Sequence, residues 1–484
     1  MPEFDMLFRG AMLFDGLGSP PVRGDLAVVG DRIAAIGDLG PASARRTIDA
    51  GGLALAPGFI DAHCHDDRAL LDTPDLTPKV SQGVTTVVNG NCGISLAPLR
   101  QGFQEPPPPL NLLAKTREAF FAEVSDYFAT LRRRPAAVNS VMLCGHTNLR
   151  HAVMSDYERA ATGEEIVAMG DLLEAALQAG CIGLSTGLFY PPAVHAPTEE
   201  IIELARCLAA HGGLYVTHMR DEGDGVLTSL EETFRIGTEA GVPVIVSHHK
   251  CVGRANFGRS RETLAALNEA GKHQPVGVDA YPYDASATIL QAGRVAAAMR
   301  VMVTWSDAVP GATGRDLAEI AAEMGCDIME AARRLQPGGA IYFQLDESDV
   351  RRILADPMTM IGSDGILADR HPHPRGWGTF PRVLGRYCRD EKLFPLPEAI
   401  RKMTSLTARR FGLDGRGVLA EDAFADLVLF DAARVADRAD YEEPRRTAAG
   451  LERVVVNGRE VFAGGEVTGE RPGRPLGRGR GFGG

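Results

Sequence analysis

Hydrophobic and polar residues follow two different patterns along the chain, and the change from one to the other indicates how the chain is organised. Near both ends, short stretches alternate apolar and polar residues between Gly, Pro and Asp: within 5–56, at 425–431 (ADLVLFD) and at 451–467 (LERVVVNGREVFAGGEV). Such alternation predicts antiparallel strands, and Asn457-Gly458 predicts a hairpin turn. We therefore expect a small β-sandwich domain built from residues 1–57 and 408–470.

Between these ends, short apolar runs alternate with stretches of helical character, which is typical of a parallel sheet or barrel. Helical stretches such as 164–180 and 200–212 lie between successive runs and end in Gly, as helices often do. Eight runs predict a closed (β/α)₈ barrel of the TIM type, an α/β fold, over residues 58–407. The strand candidates are GFIDAHC (58–64), GVTTVVNGNC (83–92), SVMLCGH (140–146), CIGLSTGLF (181–189), LYVTHM (214–219), PVIVSHH (243–249), VGVDAYPY (276–283) and MTMIGSD (358–364).

Three segments fall outside a minimal barrel. Residues 287–345 are too long for one connecting helix, and insertions of that length are often lids or binding loops. The stretch QEPPPPL (104–110) reads as a stiff surface loop. The sequence RPGRPLGRGRGFGG (471–484) is rich in Gly and Arg and predicts a flexible tail.

Composition narrows the class of protein. The 484 residues are 45% hydrophobic and 24% charged, as in a soluble globular protein, and a formal charge of −12 argues against general nucleic-acid binding. The N-terminal sequence lacks the features of a signal peptide, and no stretch is long and apolar enough for a membrane helix. Eight cysteines without close spacing favour a reducing cytoplasm over a disulfide framework. The oligomeric state stays open.

Metal-binding residue types collect at the ends of the predicted strands. His63 and His65 close the first strand as a His-X-His pair, and alternate residues of a strand point to the same side. In a barrel of this type the carboxyl ends of the strands form the active face. Imidazole and thiolate groups are the preferred zinc ligands. The sequence therefore predicts a zinc site among the residues that share this face: His63, His65, Cys92, His218, His248 and Asp364.

Six motifs in order along the chain resemble those of the N-acyl-D-amino-acid deacylases (D-aminoacylases) of the amidohydrolase superfamily. The likeness extends from about residue 5 to about residue 470 and includes the split β-domain and the insertion after the seventh strand. The motifs are APGFIDAHCHDD (56–67), GNCGIS (90–95), THMRDE (217–222), SHHK (247–250), IGSDG (361–365) and HPHPRGWGTFPRVLG (371–385).

The resemblance implies a metal site with one tight and one weaker zinc position. Cys92 matches a zinc ligand of the family; with His218 and His248 it completes the tight position, and His63 and His65 face the weaker one. Many amidohydrolases bridge two metals with a carboxylated lysine at the end of strand four. CIGLSTGLF has no lysine, which independently favours a bridging Cys92. His249 and Cys64 are expected to be structural.

The same residues suggest how an amide bond would be hydrolysed. Zinc lowers the pKa of bound water to about 7, and Asp364 is placed to accept the water's proton and deliver it to the leaving amine. Tyr190, at the end of strand four, resembles the tyrosine that polarises the acyl carbonyl in the family. A core or lid role for Tyr190 is an equal alternative at this point.

Two further cations and a tyrosine match substrate-binding positions of the family. Lys250 and Arg375 match residues that bind the α-carboxylate of the substrate, and Tyr281 matches a tyrosine beside them. Relatives often carry a serine where this chain has Ala287, so that contact is in doubt, with Ser286 and Thr288 as alternatives.

Arg294 lies in the insertion and is the nearest remaining cation in the loops assigned to the active face. If it contacts substrate rather than solvent, the side chain of the substrate should be acidic, as in N-acyl-D-glutamate, since an unpaired buried guanidinium is costly. The prediction is thus a zinc-dependent deacylase of N-acyl-D-amino acids, whose D configuration is implied by the resemblance. The alternatives are a cyclic-amide hydrolase of the dihydroorotase or hydantoinase kind and a non-catalytic scaffold.

Overall fold

The computed structural model describes residues 3–99 and 105–478 and contains a barrel of eight parallel strands. We number them barrel strands 1 to 8. Neighbouring strands pair in parallel, and strand 8 closes on strand 1 where the Ala62 amide donates to the carbonyl of Ile361 at 3.1 Å. The predicted (β/α)₈ fold is thereby confirmed. The strands are Phe59–Asp61, Val84–Asn89, Asn139–Met142 continued by Cys144–Gly145, Gly183–Gly187, Leu214–His218, Val244–Val246, Val276–Ala280 and Thr359–Ile361.

Helices follow the strands around the outside of the barrel. The predicted helix at 164–180 is Gly163–Ala179, which begins with a capping box between Thr162 and Glu165 and ends at Gly180. The other barrel helices are Ala69–Asp72, Thr77–Val80, Val124–Arg133, His146–Val153, Thr198–Ala209, Val226–Ala240, Ser260–Ala270, Glu347–Ala355, Arg375–Arg382, the π-helix Val383–Asp390, Leu396–Met403 and Ser405–Phe411, with 3₁₀ turns at Leu110–Leu112, Arg117–Ala119, Ala193–His195 and Arg254–Asn256.

Apolar side chains from the barrel strands fill its lower half. They precede the candidate ligands along the chain. Val216 lies two residues before His218 on barrel strand 5, and Val88 and Met360 lie four residues before Cys92 and Asp364, which follow the ends of strands 2 and 8. Burial of this set fixes which way each strand faces, because a slip of one residue would turn every inward side chain outward. The hydrophobic pattern therefore positions the polar residues at the strand ends.

The insertion after barrel strand 7 is a small subdomain with its own core. Its three antiparallel strands are Ala285–Ile289, Arg300–Ser306 and Gly338–Phe343. Three helices, Ala292–Ala297, Leu317–Met324 and Ile328–Arg334, and the 3₁₀ turn Pro310–Ala312 complete it, and a separate apolar cluster holds them together. The first strand of the subdomain runs along the mouth of the barrel.

Strands from both chain ends form one nine-stranded sheet beside the barrel. Leu427–Phe430 pairs antiparallel with Ala54–Pro57, which joins the two halves. The predicted hairpin is present, with Asn457 and Gly458 at positive φ angles of 46° and 74° between its strands. We propose domain boundaries at residues 57 and 408, on the strength of this pairing. The strands are Phe4–Leu13, Val22–Val29, Arg32–Gly37, Ala44–Asp49, Ala54–Pro57, Leu427–Phe430, Leu451–Val456, Arg459–Ala463 and Glu466–Val467.

The predicted flexible tail is wrong for residues 471–478. Pro475–Leu476 forms a short strand parallel to the first half of barrel strand 3, and Leu476 packs against the apolar residues inside the barrel. Arg471 pairs with Asp75 at 2.8 Å and Arg474 with Asp31 at 2.7 Å. Main-chain pairing and these ion pairs outweigh the low intrinsic order of a Gly/Arg-rich sequence. The remainder of the predicted tail, 479–484, lies outside the described residues.

Among the described residues, no helix has the length and apolar character needed to cross a membrane.

Candidate metal centre and active site

The six residues predicted to share the active face do come together at the carboxyl end of the barrel. They form two groups that have Cys92 in common, and within each group the ligand atoms lie no more than 4.8 Å apart. All six side chains are buried. One group is His63, His65, Cys92 and Asp364, and the other is Cys92, His218 and His248.

Cys92 lies between the two groups. Its Sγ is 3.4 Å from Nε2 of His63 and 3.3 Å from Nε2 of His248. Barrel strand 1 ends at Asp61, so His63 follows the end of the strand rather than lying within it. One thiol between two sets of imidazoles is the geometry that a bridging ligand requires.

Three of these residues have backbone conformations that side chains other than Gly rarely adopt. Cys92, His248 and Asp364 have φ angles of 54°, 36° and 48° and follow barrel strands 2, 6 and 8. Left-handed conformations of this kind cost about 1–3 kcal/mol each and collect at functional sites. The chain is thus strained where it turns these three side chains towards the common centre.

The loop that carries Cys92 needs glycine on both sides of the thiol. A Cβ added to Gly90 would lie 2.1 Å from the carbonyl oxygen of Leu143, and one added to Gly93 would lie 2.7 Å from the amide of Gly187. Both residues also have positive φ angles. The GNCG motif therefore holds the thiol by packing the backbone of one strand end against its neighbours.

Helix His146–Val153 fixes this loop from outside. The amide oxygen of Asn148 accepts a hydrogen bond from the Ser95 amide at 2.9 Å, and its amide nitrogen donates to the Ser95 carbonyl at 2.7 Å. The helix is anchored by buried Arg150, whose Nη1 donates to both carboxylate oxygens of Glu200 at 2.6 and 2.8 Å. Burial raises the pKa of Glu200, but His146 and Arg150 outweigh it and lower the pKa to about 2.

The histidines are suited to bind a metal because burial keeps them neutral. Burial lowers the pKa of His63 to about 3 and lowers the pKa of His218 and His248 as well. Neither ring nitrogen of His218 has a hydrogen-bond partner among the described residues. Burial raises the pKa of the Cys92 thiol well above its usual value, so metal binding here would release a proton. Unpartnered imidazole and a buried thiol fit zinc well.

Asp364 is held between the histidines and a buried arginine. Its carboxylate lies 3.4 Å from Nε2 of His65 and 3.6 Å from Nε2 of His63, and Oδ2 is 2.8 Å from Nη1 of Arg375. Burial raises the pKa of Asp364, but Arg375 and the neighbouring imidazoles lower it well below the usual value. The carboxylate is therefore ionised at neutral pH, as a proton acceptor must be.

Behind the first strand, a buried lysine links the strand ends that carry His63 and Asp364. Lys79 donates to Asp61 at 2.7 Å and to the Ser363 hydroxyl at 2.8 Å, and Asp61 accepts from the Ser363 amide at 2.8 Å. All these groups are fully buried. Sequence reasoning missed this cluster, because the polar stretch around Lys79 (DTPDLTPKVSQG, 72–83) gives no sign that the lysine is buried.

Lys250, predicted to bind a carboxylate, is paired with an acid that sequence reasoning also missed. Its Nζ is 2.5 Å from Oε1 of Glu222 and 2.7 Å from Nδ1 of His248. Burial raises the pKa of Glu222, but Lys250 and the imidazoles of His218 and His248 outweigh it and leave the pKa well below the usual value. Glu222 lies in the quoted THMRDE motif, at a loop position from which spacing alone does not predict contact with His248.

Tyr281 lies close to both predicted carboxylate-binding cations. The guanidinium of Arg375 is 4.6 Å and Nζ of Lys250 is 5.8 Å from the centre of its ring, and its hydroxyl has no hydrogen-bond partner among the described residues. Arg375 is fully buried and donates to the Ala287 carbonyl at 3.2 Å. Its charge is thus directed at Asp364 rather than at an open cavity.

Tyr190 and Arg294 also line the site. The Tyr190 hydroxyl is 2.9 Å from the hydroxyl of Thr288, and its ring packs against His218. The guanidinium of Arg294 lies 4.0 Å above the ring of Phe189, and its Nε has no hydrogen-bond partner among the described residues. Arg294 is partly buried at the site and has no acidic partner among the described residues.

A small cavity lies against the ligand groups and a large one adjoins it. The first has a volume of about 20 Å³, enough for about one water molecule. The second has a volume of about 520 Å³ and shares Glu222 and Arg294 with the first. The wall of the small cavity includes Pro109, Leu112, Ser286, Ala287 and Thr288.

The proline-rich segment predicted as a plain surface loop thus contributes to this wall. Pro109 of this segment reaches the small cavity, as does Leu112 just beyond it. The first residue of the segment, Gln104, lies outside the described residues.

His249 and Cys64 are buried away from the ligand groups. His249 contacts the Thr263 hydroxyl at 2.8 Å, and Cys64 contacts the Asn89 side chain at 3.1 Å.

Comparison with known proteins matches this architecture to one family. A model described as "Amidohydrolase family" matches residues 46–281 and 260–462. Three enzymes of Alcaligenes xylosoxydans xylosoxydans align over 98% of this chain: a D-aminoacylase (57% identity, 98% of its length), an N-acyl-D-aspartate deacylase (50%, 95%) and an N-acyl-D-glutamate deacylase (46%, 97%).

Solved structures agree with the sequence comparison. A D-aminoacylase described as having a binuclear metal centre matches with a TM-score of 0.96 and 55% identity over 98% of this chain and 100% of its own. An N-acyl-D-glutamate deacylase from Bordetella bronchiseptica, complexed with zinc and a phosphonate mimic of the tetrahedral intermediate, matches with a TM-score of 0.95 and 47% identity over 98% and 99%. A D-hydantoinase, at 15% identity and a TM-score of 0.59 over 99% and 100%, shares the fold alone. The chain belongs to the amidohydrolase family.

Proposed function

We propose that this protein is a zinc-dependent deacylase that hydrolyses the amide bond of N-acyl-D-amino acids to a carboxylate and a free D-amino acid. The observation that carries the proposal is Cys92, shared by two groups of buried metal-binding side chains beside Asp364. The substrate class follows the relatives, which are D-amino-acid deacylases at 46–57% identity over nearly the whole chain.

The donor set fits zinc with one tight and one weaker position. Cys92, His218 and His248 would hold the tight metal, and His63 and His65 the weaker one, with Cys92 common to both groups. When bound, zinc supplies a water molecule whose pKa is lowered to about 7 and an electrophile for the acyl oxygen. The remaining steps, proton transfer and stabilisation of the developing charge, are carried out by side chains of the protein.

Asp364 is the proposed proton carrier. Its ionised carboxylate accepts a proton from the attacking water and then delivers it to the nitrogen of the leaving amine. Arg375, 2.8 Å from Oδ2, keeps the carboxylate ionised before the first transfer and holds its orientation while the group carries the proton. Tyr190 faces the same cavity and donates a hydrogen bond from its hydroxyl group to the acyl oxygen as negative charge develops there.

Lys250 is the proposed main contact for the α-carboxylate of the substrate. It lines the small cavity, whereas Arg375 is occupied by Asp364 behind the wall. We propose that Arg375 and Tyr281 support this carboxylate subsite from behind. Ser286 and Thr288 both line the cavity and supply hydroxyl groups beside Ala287.

Arg294 is the proposed determinant of side-chain preference. It lies between the small and the large cavity, where the side chain of the amino acid would extend. Its guanidinium packs on the ring of Phe189 and has no acidic partner among the described residues. An acidic substrate side chain would supply the missing charge, so we propose a preference for N-acyl-D-glutamate or a similar substrate.

A second proposal concerns the compartment. All eight cysteines are unpaired in the structure, which supports a reducing compartment such as the cytoplasm.

Two alternative functions are weaker. Ring-opening of cyclic amides is the weaker reaction because hydantoinases share the fold alone, and a scaffold without activity would not need the complete donor set.

A panel of N-formyl and N-acetyl D- and L-amino acids, with hydantoin and dihydroorotate as cyclic controls, tests the proposal. We expect hydrolysis of the D-compounds in proportion to bound zinc. Activity confined to cyclic amides, or no activity in a zinc-loaded protein, would contradict it.

The preference for an acidic side chain is tested separately. The kcat/KM for D-glutamate derivatives should exceed that for D-methionine and D-leucine derivatives, and it should fall in Arg294→Ala. A native preference for D-methionine or D-leucine would refute the proposed role of Arg294 and leave the deacylase proposal intact.

A further inference from the structure

We propose that Glu222 is a positioning residue that orders a metal ligand and a substrate-binding cation together. Its carboxylate accepts the Nδ1 proton of His248 and holds the ammonium group of Lys250 beside the cavity. The inference rests on the proposed function, because it concerns the same metal position and the same carboxylate subsite.

The two nitrogens of the His248 ring face different partners. Nε2 lies 3.3 Å from Sγ of Cys92, on the side of the candidate ligands. Nδ1 lies on the far side of the ring, 3.1 Å from Oε1 of Glu222 and 2.7 Å from Nζ of Lys250. Nε2 is therefore the nitrogen directed at the metal position.

A ring nitrogen that binds a metal uses its lone pair, so the proton of a neutral imidazole must then reside on the other nitrogen. Nδ1 of His248 thus becomes a donor. The Lys250 ammonium has three donors and no acceptor and cannot receive this proton. As the structure stands, the Lys250 ammonium lies within hydrogen-bond distance of Nδ1 and would donate to it. Once Nδ1 carries the proton, Oε1 of Glu222, 3.1 Å away, is the neighbouring group that can accept it. Such carboxylate partners fix the tautomer and orientation of a metal-binding histidine.

Glu222 also provides the countercharge of Lys250. Oε1 lies 2.5 Å from Nζ, and both side chains are buried. A buried ammonium without a partner is strongly unfavourable, so contact with the carboxylate holds the Lys250 side chain in place. The other oxygen, Oε2, lies 3.6 Å from Nε2 of His218. One acid therefore connects two candidate ligands with the cation expected to receive the substrate carboxylate.

The test is metal affinity in Glu222→Gln, which keeps the shape of the side chain and removes its charge. We expect affinity for Co²⁺ at the tight position to fall about 10–100-fold, measured by competition with a chelator. The absorption band of Co²⁺ bound to the Cys92 thiolate, followed over the first equivalent of Co²⁺, reports occupancy of the tighter position without reference to turnover. Lys250→Met should retain native affinity, because His248 keeps its acceptor.

Asp221→Asn is the matched control. Asp221 is the neighbouring acid on the same loop, but its carboxylate accepts from the amides of Gly223 at 2.6 Å and Gly225 at 3.0 Å. Loss of this charge should leave the Co²⁺ affinity unchanged. If Glu222→Gln does not fold, the double variant Glu222→Gln/Lys250→Met removes both buried charges and should still show the lower affinity.

The outcomes separate this inference from the proposed function. A native protein that neither shows the Co²⁺–thiolate band nor hydrolyses N-acetyl-D-amino acids would overturn the proposed function itself. A native protein that does both, with Glu222→Gln and the double variant within twofold of its Co²⁺ affinity, would overturn the role of Glu222 alone. An equal loss of affinity in Lys250→Met would also overturn it, because affinity would then follow the lysine.

Discussion

Replacing Asp364 by Asn tests the proton carrier while keeping the shape of the side chain. An amide cannot accept the proton of the attacking water, and a positioned acid–base group contributes about 10²–10⁴-fold to a rate. We therefore expect kcat for N-acetyl-D-amino acids to fall by about that factor, which corresponds to about 3–5 kcal/mol of barrier. Zinc at the tight position should remain, because its three ligands do not include Asp364.

The same substitution has a cost in stability that can be derived from the ion pair. Asp364 Oδ2 lies 2.8 Å from the fully buried guanidinium of Arg375. Breaking a buried pair by removing one charge costs about 3–5 kcal/mol. The amide oxygen of Asn still accepts a hydrogen bond, so we expect a loss near 3 kcal/mol, seen as a lower Tm.

Asp369→Asn is the control for this experiment. Asp369 is a buried acid five residues further along the same loop, and it is in neither ligand group. Steady-state kinetics, zinc content by atomic absorption and Tm should be measured for both variants at 25 °C. A zinc-replete Asp364→Asn enzyme with near-native kcat would refute the reasoning, since the proton would then have to travel through another group.

Three further predictions concern other parts of the molecule. Cys92→Ala should lose most of its zinc and activity, whereas Cys64→Ala, a buried cysteine outside both ligand groups, should keep both; zinc content decides. Tyr190→Phe should lower kcat about 10²-fold with little change in KM, and a native kcat would leave Tyr190 a packing residue. The pKa of Glu200 is lowered from 4.5 to about 2, so its contribution to stability, about 3 kcal/mol, is complete above pH 5 and lost as the pH falls towards 2. Glu200→Gln should therefore be less stable than the native protein at pH 7 and match it near pH 2 in urea unfolding; a constant difference across this range would contradict the linkage.

The barrel and the candidate ligands could be predicted because both depend on local patterns. Apolar runs of strand length define the eight strands, and each ligand lies within a few residues of the end of its strand. The alternation of side chains, set by residues such as Val216 inside the barrel, carries His218 to the right face. Closure of the barrel then brings the ligands together without further information from the sequence.

The remaining features depend on contacts between distant segments. Glu222 reaches His248 because a loop after strand 5 folds against the end of strand 6, and Lys79 reaches Ser363 across 284 positions of the chain. The left-handed backbone of Cys92 is likewise imposed by neighbouring strand ends rather than by its own preference. Periodicity contains no information about such contacts, so the sequence could indicate these residues but not their partners.

Pairing of Pro475–Leu476 with barrel strand 3 has a consequence for synthesis on the ribosome. Asn139 and Arg474, which hydrogen-bond at this seam, are separated by 335 positions. The two strands can meet only after almost the whole of the described chain has been translated. Until then Ser140, whose amide donates to the Arg474 carbonyl at 3.0 Å, lacks its native acceptor. This edge of barrel strand 3 therefore stays unpaired during synthesis, and an unpaired strand edge is where chains can associate wrongly.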